Sequence, residues 1–273
     1  YTTFSLHKIS SSDNFTFCPS EYSWFKFGDQ FFAKKFAKEL FESFIDCNKD
    51  KILAQREIII LPSPYLSIPT ASNFLSFYFI ENLNEFLFRN RKKAVIEAKI
   101  YRNQTYVIDY GNLSYEERFN LISNDTYYID REFINNKFCI FLDDIKITGS
   151  HERTVSKILL HNNVNGDFVF LYFAELINKE IHPSIENYLN DYAVKGVPEI
   201  IEIINRVDFK FNTRLIKYVL NLNETELLNI INNVNIKRIN KLFHLAISNN
   251  YHLLENYSNS LSIINNWINN KIE

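Results

Sequence analysis

The chain has 273 residues, of which 46% are hydrophobic and 23% charged, with a formal net charge of −2. This is enough for one large domain or two small ones with an ample core, and the near-neutral balance gives no global attraction to DNA or an anionic membrane. Cys18, Cys47 and Cys139 are too far apart to form a metal-ligand cluster and suit a reducing cytoplasm. No secretory segment opens the chain and no apolar run approaches membrane-spanning length.

Residues 1–56 are expected to combine a loop with one strong helix. From Gln30 to Ile45, Phe32, Phe36, Leu40 and Phe44 recur every fourth residue between lysines and glutamates, the stripe of a helix packed on a sheet. Glu57–Leu61 reads as a first buried strand, followed by the proline-rich turn Pro62–Thr70 and a helix with Leu75, Phe79, Leu83, Phe86 and Leu87 on one face. Residues 94–101 form a second predicted strand. A polar segment from Arg102 to Arg131 separates it from the next one.

The stretch Phe138–Ser150 is the most specific in the chain. Five apolar residues, Phe138–Leu142, end in the adjacent acids Asp143 and Asp144, as a central strand of a parallel sheet would. Ligands of open α/β sheets bind beyond the carboxyl ends of such strands. Gly149 can take a positive φ that turns successive N–H groups inward, while Thr148 and Ser150 add hydroxyls and a following helix adds its positive end. This is a nest for a phosphate monoester. The acids before it suit sugar hydroxyls or a divalent cation such as Mg²⁺. Beyond the turn, residues 152–161 have helical spacing, Asn165-Gly166 marks a turn and Asp167–Phe173 reads as another buried strand. From about Asn178 the pattern is helical, with apolar spacing over 199–204, 215–220, 226–234, 239–247 and 261–268. The expected fold class is α/β, a mostly parallel sheet with flanking helices, plus a C-terminal helical region. The expected parts are 1–56, 57–178 and 179–273.

The motif from Phe138 to Ser150 resembles the 5-phosphoribosyl-1-pyrophosphate (PRPP) loop of type I phosphoribosyltransferases. Asp-Asp-Ile-Lys-Ile-Thr-Gly-Ser-His-Glu is similar, more narrowly, to the ComF-like members associated with bacterial tellurite-resistance and stress-response gene clusters. A bacterial, AT-rich genome also fits the abundance of Asn, Ile, Lys, Phe and Tyr. The resemblance implies PRPP and Mg²⁺ as ligands and an unidentified base or nucleoside-like acceptor. It makes Asp143 and Asp144 the catalytic and metal-linked acids, and assigns PRPP binding to Asp143, Asp144, Ile145, Lys146, Ile147, Thr148, Gly149, Ser150 and His151. By order in the chain, Ser63, Pro64 and Tyr65 take the pyrophosphate loop, and Lys99, Arg102, Arg118 and Arg131 are the cations available to the leaving group. The segment between the strands would be a mobile loop closing over the sugar, and the helical tail a hood selecting the acceptor. Ile147 departs from the acid that purine-type members use for proton exchange, which leaves His151 as the candidate. A homodimer is compatible with this reading.

Two other classes compete. A PRPP-sensing regulator on the same fold would keep the loop without turnover. A different sugar-phosphate enzyme is disfavoured, because the chain lacks Gly-x-x-x-x-Gly-Lys-Ser/Thr, Gly-x-Gly-x-x-Gly and Gly-x-Ser-x-Gly.

Overall fold

The structure, a computed structural model, describes residues 1–102 and 127–272. Strands β1 (Thr2–Ile9), β2 (Ile58–Pro62), β3 (Ile96–Glu97), β6 (Lys137–Lys146) and β7 (Gly166–Leu176) form a five-stranded sheet in the order β1-β7-β6-β2-β3, every pair parallel. Strands β4 (Tyr101–Arg102) and β5 (Tyr127–Tyr128) pair antiparallel on their own.

The sheet is covered on both faces, so its central strands are apolar in every position rather than alternately. On one face Ile58, Ile60, Phe138, Ile140, Leu142, Leu171 and Phe173 pack with α2 (Gln30–Leu53) and α3 (Ala71–Arg89). On the other, Ile59, Leu61, Cys139, Phe141 and Tyr172 pack with Val155 and Leu159 of α5 (Ser150–His161). A short helix α4 (Arg131–Ile134) leads into β6. Asp29 caps α2 by accepting the Phe31 N–H at 2.8 Å, and the Thr70 N–H that opens α3 donates to Asn73 Oδ1 at 2.7 Å.

Helices α6 (Ile185–Asn190), α7 (Val197–Asn205), α8 (Thr213–Leu220), α9 (Glu224–Asn233), α10 (Ile236–Ser248) and α11 (Glu255–Ile272) follow the sheet. From Val194 onward they enclose a separate core that admits Phe27 and Ile68 from earlier in the chain. Those two intruders mark where the helical region grips the sheet. Lys210 N–H donates to Gly28 O at 3.1 Å, Thr213 N–H to Pro69 O at 2.9 Å, and the side-chain Oδ1 of the buried Asn249 accepts from Ser67 N–H at 3.0 Å. Gly28 has φ +104°, and a Cβ there would lie 2.2 Å from Lys210 O, so only glycine permits the contact. Both gripped segments stand at the carboxyl end of the sheet, one starting α2 and the other following β2.

The fold departs from the sequence expectations at three places. Residues 2–9, read as loop, form the edge strand β1; the alternation of Phe4 and Leu6 with polar neighbours was its signal. Helix α1 (Pro19–Lys26) lies in the aromatic stretch, with Pro19 at a helix-starting position as its mark. The strand expected over 94–101 pairs with β2 only at Ile96–Glu97, because Glu97 and Lys99 leave it polar on an exposed edge. The proposed closing loop lies almost wholly outside the described residues.

Candidate functional site

Consecutive residues leave a strand on opposite faces, so the two acids near the end of β6 meet different helices. Asp144, only 5% exposed, faces α1: Tyr22 Oη donates to its Oδ2 at 3.0 Å, and the Lys26 ammonium forms an ion pair with the same oxygen. Asp143 faces α5, with His151 Nδ1 at 3.4 Å from its Oδ2, while its Oδ1 accepts the Asp144 N–H at 2.9 Å.

Their ionisation diverges. Burial pushes the Asp144 carboxyl up to about 6, against the pull of Lys26 and with help from the like charge of Asp143. Lys26–Asp144 is therefore a buried ion pair whose desolvation outweighs its attraction. Burial acts the same way on Asp143, but the hydrogen bond and charge of His151 overcome it, and Ser63 and Asp144 add to them, holding this carboxyl well below the usual range. Ser63 Oγ is buried close to Asp143 without hydrogen-bond geometry to any described partner.

A pH dependence follows. A carboxyl with a raised pKa contributes stability at low pH that is lost as the pH rises through about 6. Between pH 4.5 and 7.5 the wild type is expected to lose on the order of 2 kcal/mol more than Asp144→Asn. Urea unfolding of both proteins at the two pH values measures this; equal changes would contradict it.

After Lys146 the chain turns. Gly149 has φ 67° and ψ 16°, the left-handed conformation that the motif requires, and α5 starts at Ser150. Thr148 Oγ1 and Ser150 Oγ lie 2.8 Å apart, and Arg153 reaches back from the first turn of α5 to donate to Thr148 O at 2.5 Å. Arg153 was missed from sequence; its signal was a cation three residues into a helix whose start holds the small-residue turn. Ile145 is buried and Ile147 packs on the same core, so both anchor the turn and offer only their backbone. Lys146 is paired with Glu152 at 2.8 Å and Glu175 at 3.2 Å, so its charge is already neutralised.

The parallel register sets Pro62 against Leu142, which brings Ser63 alongside Asp143. Pro64 is buried, and Lys99 stacks 4.1 Å from the centre of the Tyr65 ring while donating to Leu66 O at 3.2 Å. Ser63, Pro64, Tyr65 and Lys99 thus converge on one loop beside the acids. Arg102 continues from Lys99 in β4, and Arg118 lies outside the described residues. Arg131 is a correction: it opens α4, before the amino end of β6, and the strand carries Asp143 about 20 Å from that end.

The metal role expected of the acid pair does not fit this geometry. Tyr22 and Lys26 already occupy Asp144 Oδ2, and among the described residues no three carboxylate, imidazole or thiol groups converge.

The sequence profile of the family described as PRTase ComF-like matches residues 1–264. No curated protein matches the chain. Among solved structures, a hypoxanthine phosphoribosyltransferase from Staphylococcus aureus is similar at 10% identity, with a TM-score of 0.34 over 54% of this chain and 76% of that one. The hypoxanthine phosphoribosyl transferase of Trypanosoma cruzi is similar at 14% identity, with a TM-score of 0.34 over 55% and 77%. Such distant likenesses add nothing to the family match, which spans nearly the whole chain. With its parallel sheet and the turn after β6, the chain belongs to the ComF-like family of phosphoribosyltransferases.

Proposed function

We propose that the protein binds PRPP at the carboxyl end of β6 and β2 and transfers its phosphoribosyl group to a nitrogenous acceptor, releasing pyrophosphate. The observation that carries this reading is the left-handed Gly149 turn opening α5 next to the Asp143–His151 pair. Backbone N–H groups of residues 147–150, the Thr148 and Ser150 hydroxyls and Arg153 would hold the 5-phosphate. Asp143, kept ionised, would accept a ribose hydroxyl. The Ser63–Tyr65 loop and Lys99 would hold the pyrophosphate, whose departing charge they would stabilise.

In the reaction the bond from the anomeric carbon to the pyrophosphate oxygen breaks as the carbon–nitrogen bond forms. The proton on the acceptor nitrogen passes to His151, whose imidazolium Asp143 would stabilise. Mg²⁺ would arrive on the pyrophosphate as part of the substrate. Helices α7–α11, seated over the carboxyl end, are where an acceptor-selecting surface would stand.

A second reading, PRPP sensing without turnover, is favoured by one observation: Asp144 is buried and its Oδ2 is already taken by Lys26 and Tyr22. Calorimetric titration of PRPP with Mg²⁺, followed by pyrophosphate release across a panel of bases, separates the two. Asp143→Asn is expected to weaken PRPP binding about 10- to 100-fold, the worth of a charge-assisted hydrogen bond, with the circular-dichroism spectrum unchanged. Unaltered affinity in that variant would refute the site.

A further inference from the structure

We propose that Lys26 is the resident cation of this site, taking the place that a divalent ion would have beside the acid pair, so that sugar-phosphate binding does not require Mg²⁺. The inference rests on the PRPP reading above and concerns how that ligand is held.

The geometry has three independent parts. First, Lys26 is not a solvated surface lysine: its side chain is 12% exposed and its ammonium is committed to Asp144 Oδ2. Second, the oxygen it meets is completed by the Tyr22 hydroxyl, from a side chain with no exposure, so Asp144 has been built to receive a protein cation rather than a hydrated ion. Third, Lys26 is held from behind. Its carbonyl accepts Asn212 Nδ2 at 2.9 Å, and Asn212 is itself fully buried at the start of α8. The helical region therefore sets the position of α1, and α1 delivers the charge.

The electrostatic consequence is direct. Two adjacent carboxylates beside a phosphate nest would repel a ligand bearing a 5-phosphate and a pyrophosphate, and a bound cation is the usual remedy. Here Lys26 neutralises Asp144, so the acid pair presents one negative charge rather than two to an incoming polyanion. A point charge on a stem fixed in the fold also needs no dehydration of a metal ion.

The test is titration of PRPP in Mg²⁺ and in EDTA, for the wild type and for Lys26→Gln, with folding followed by circular dichroism. The expected wild-type affinities agree within about threefold in the two conditions. Lys26→Gln is expected to bind about 10- to 100-fold more weakly in EDTA, with Mg²⁺ restoring much of the loss, which a merely structural defect would not show. A wild type that loses tenfold or more in EDTA overturns the inference while leaving the PRPP reading intact, and this comparison stands even if the variant folds poorly. Unchanged binding by Lys26→Gln in EDTA also overturns it. Absence of PRPP binding by the wild type in both conditions removes the PRPP reading itself, and this inference with it.

Discussion

Replacing Phe173 by alanine is expected to cost about 3–5 kcal/mol, the usual range for a large buried aromatic, and to lower the melting temperature on the order of 10 °C. Phe173 is fully buried on β7, and its ring meets those of Phe36 at 4.4 Å, His7 at 4.7 Å, Phe17 at 5.4 Å and Tyr22 at 6.0 Å. These neighbours come from α2, β1, the loop before α1 and α1 itself, so one ring joins every N-terminal element to the sheet. The cavity would adjoin Tyr22, whose hydroxyl is spent on Asp144, and the loss should therefore reach the site. Thermal unfolding of Phe173→Ala and Phe173→Leu measures the first effect. PRPP titration of the leucine variant, which keeps most of the volume, reads the second. A melting temperature within 2 °C of wild type for the alanine variant would show that the cluster does not carry the load assigned to it.

The second large effect is expected at Gly149→Val. A Cβ there would lie 3.4 Å from Lys146 Cε and 3.7 Å from Arg153 Nη1, ordinary contacts with flexible side chains. Steric crowding is not the obstacle. The obstacle is φ 67°, which costs an L-residue about 1–2 kcal/mol and a β-branched one more. The turn is expected to relax to negative φ, which rotates the N–H groups of residues 148–150 out of the nest and moves the start of α5. Stability should fall by about 1–2 kcal/mol. PRPP affinity should fall at least about 100-fold, because more than one charge-assisted hydrogen bond is lost together. Calorimetry and urea unfolding of the same sample separate the two numbers. Wild-type affinity in this variant would mean that the turn binds no phosphate.

The contrast between these positions shows what could be read without a structure. Gly149 was legible because a local rule sufficed: an apolar strand, two acids and a small-residue turn occur within about a dozen residues, and each imposes its geometry on its neighbours. The helices of the C-terminal region were legible for the same reason, since apolar residues three and four apart define a face whatever lies against it. Strand β1 was harder. It is paired on one side only, so its pattern alternates weakly and its first residues, Thr2 and Thr3, are exposed. Arg131 was counted with the cations of the polar segment that it ends, and order in the chain does not show that it opens α4 before the amino end of β6.

By itself the sequence determined the α/β class, the central strands, the glycine turn after β6 and the acids beside it, because these follow from backbone conformation and short-range periodicity. Only the tertiary structure decided what the acids are bonded to. Lys26 reaches Asp144 across 118 residues, and Asp143 and Asp144 part to opposite faces, one to α5 and the other to α1. Their pKa values diverge because burial and opposite charge act on each through a different neighbour, and those neighbours are set by packing, which no local pattern encodes.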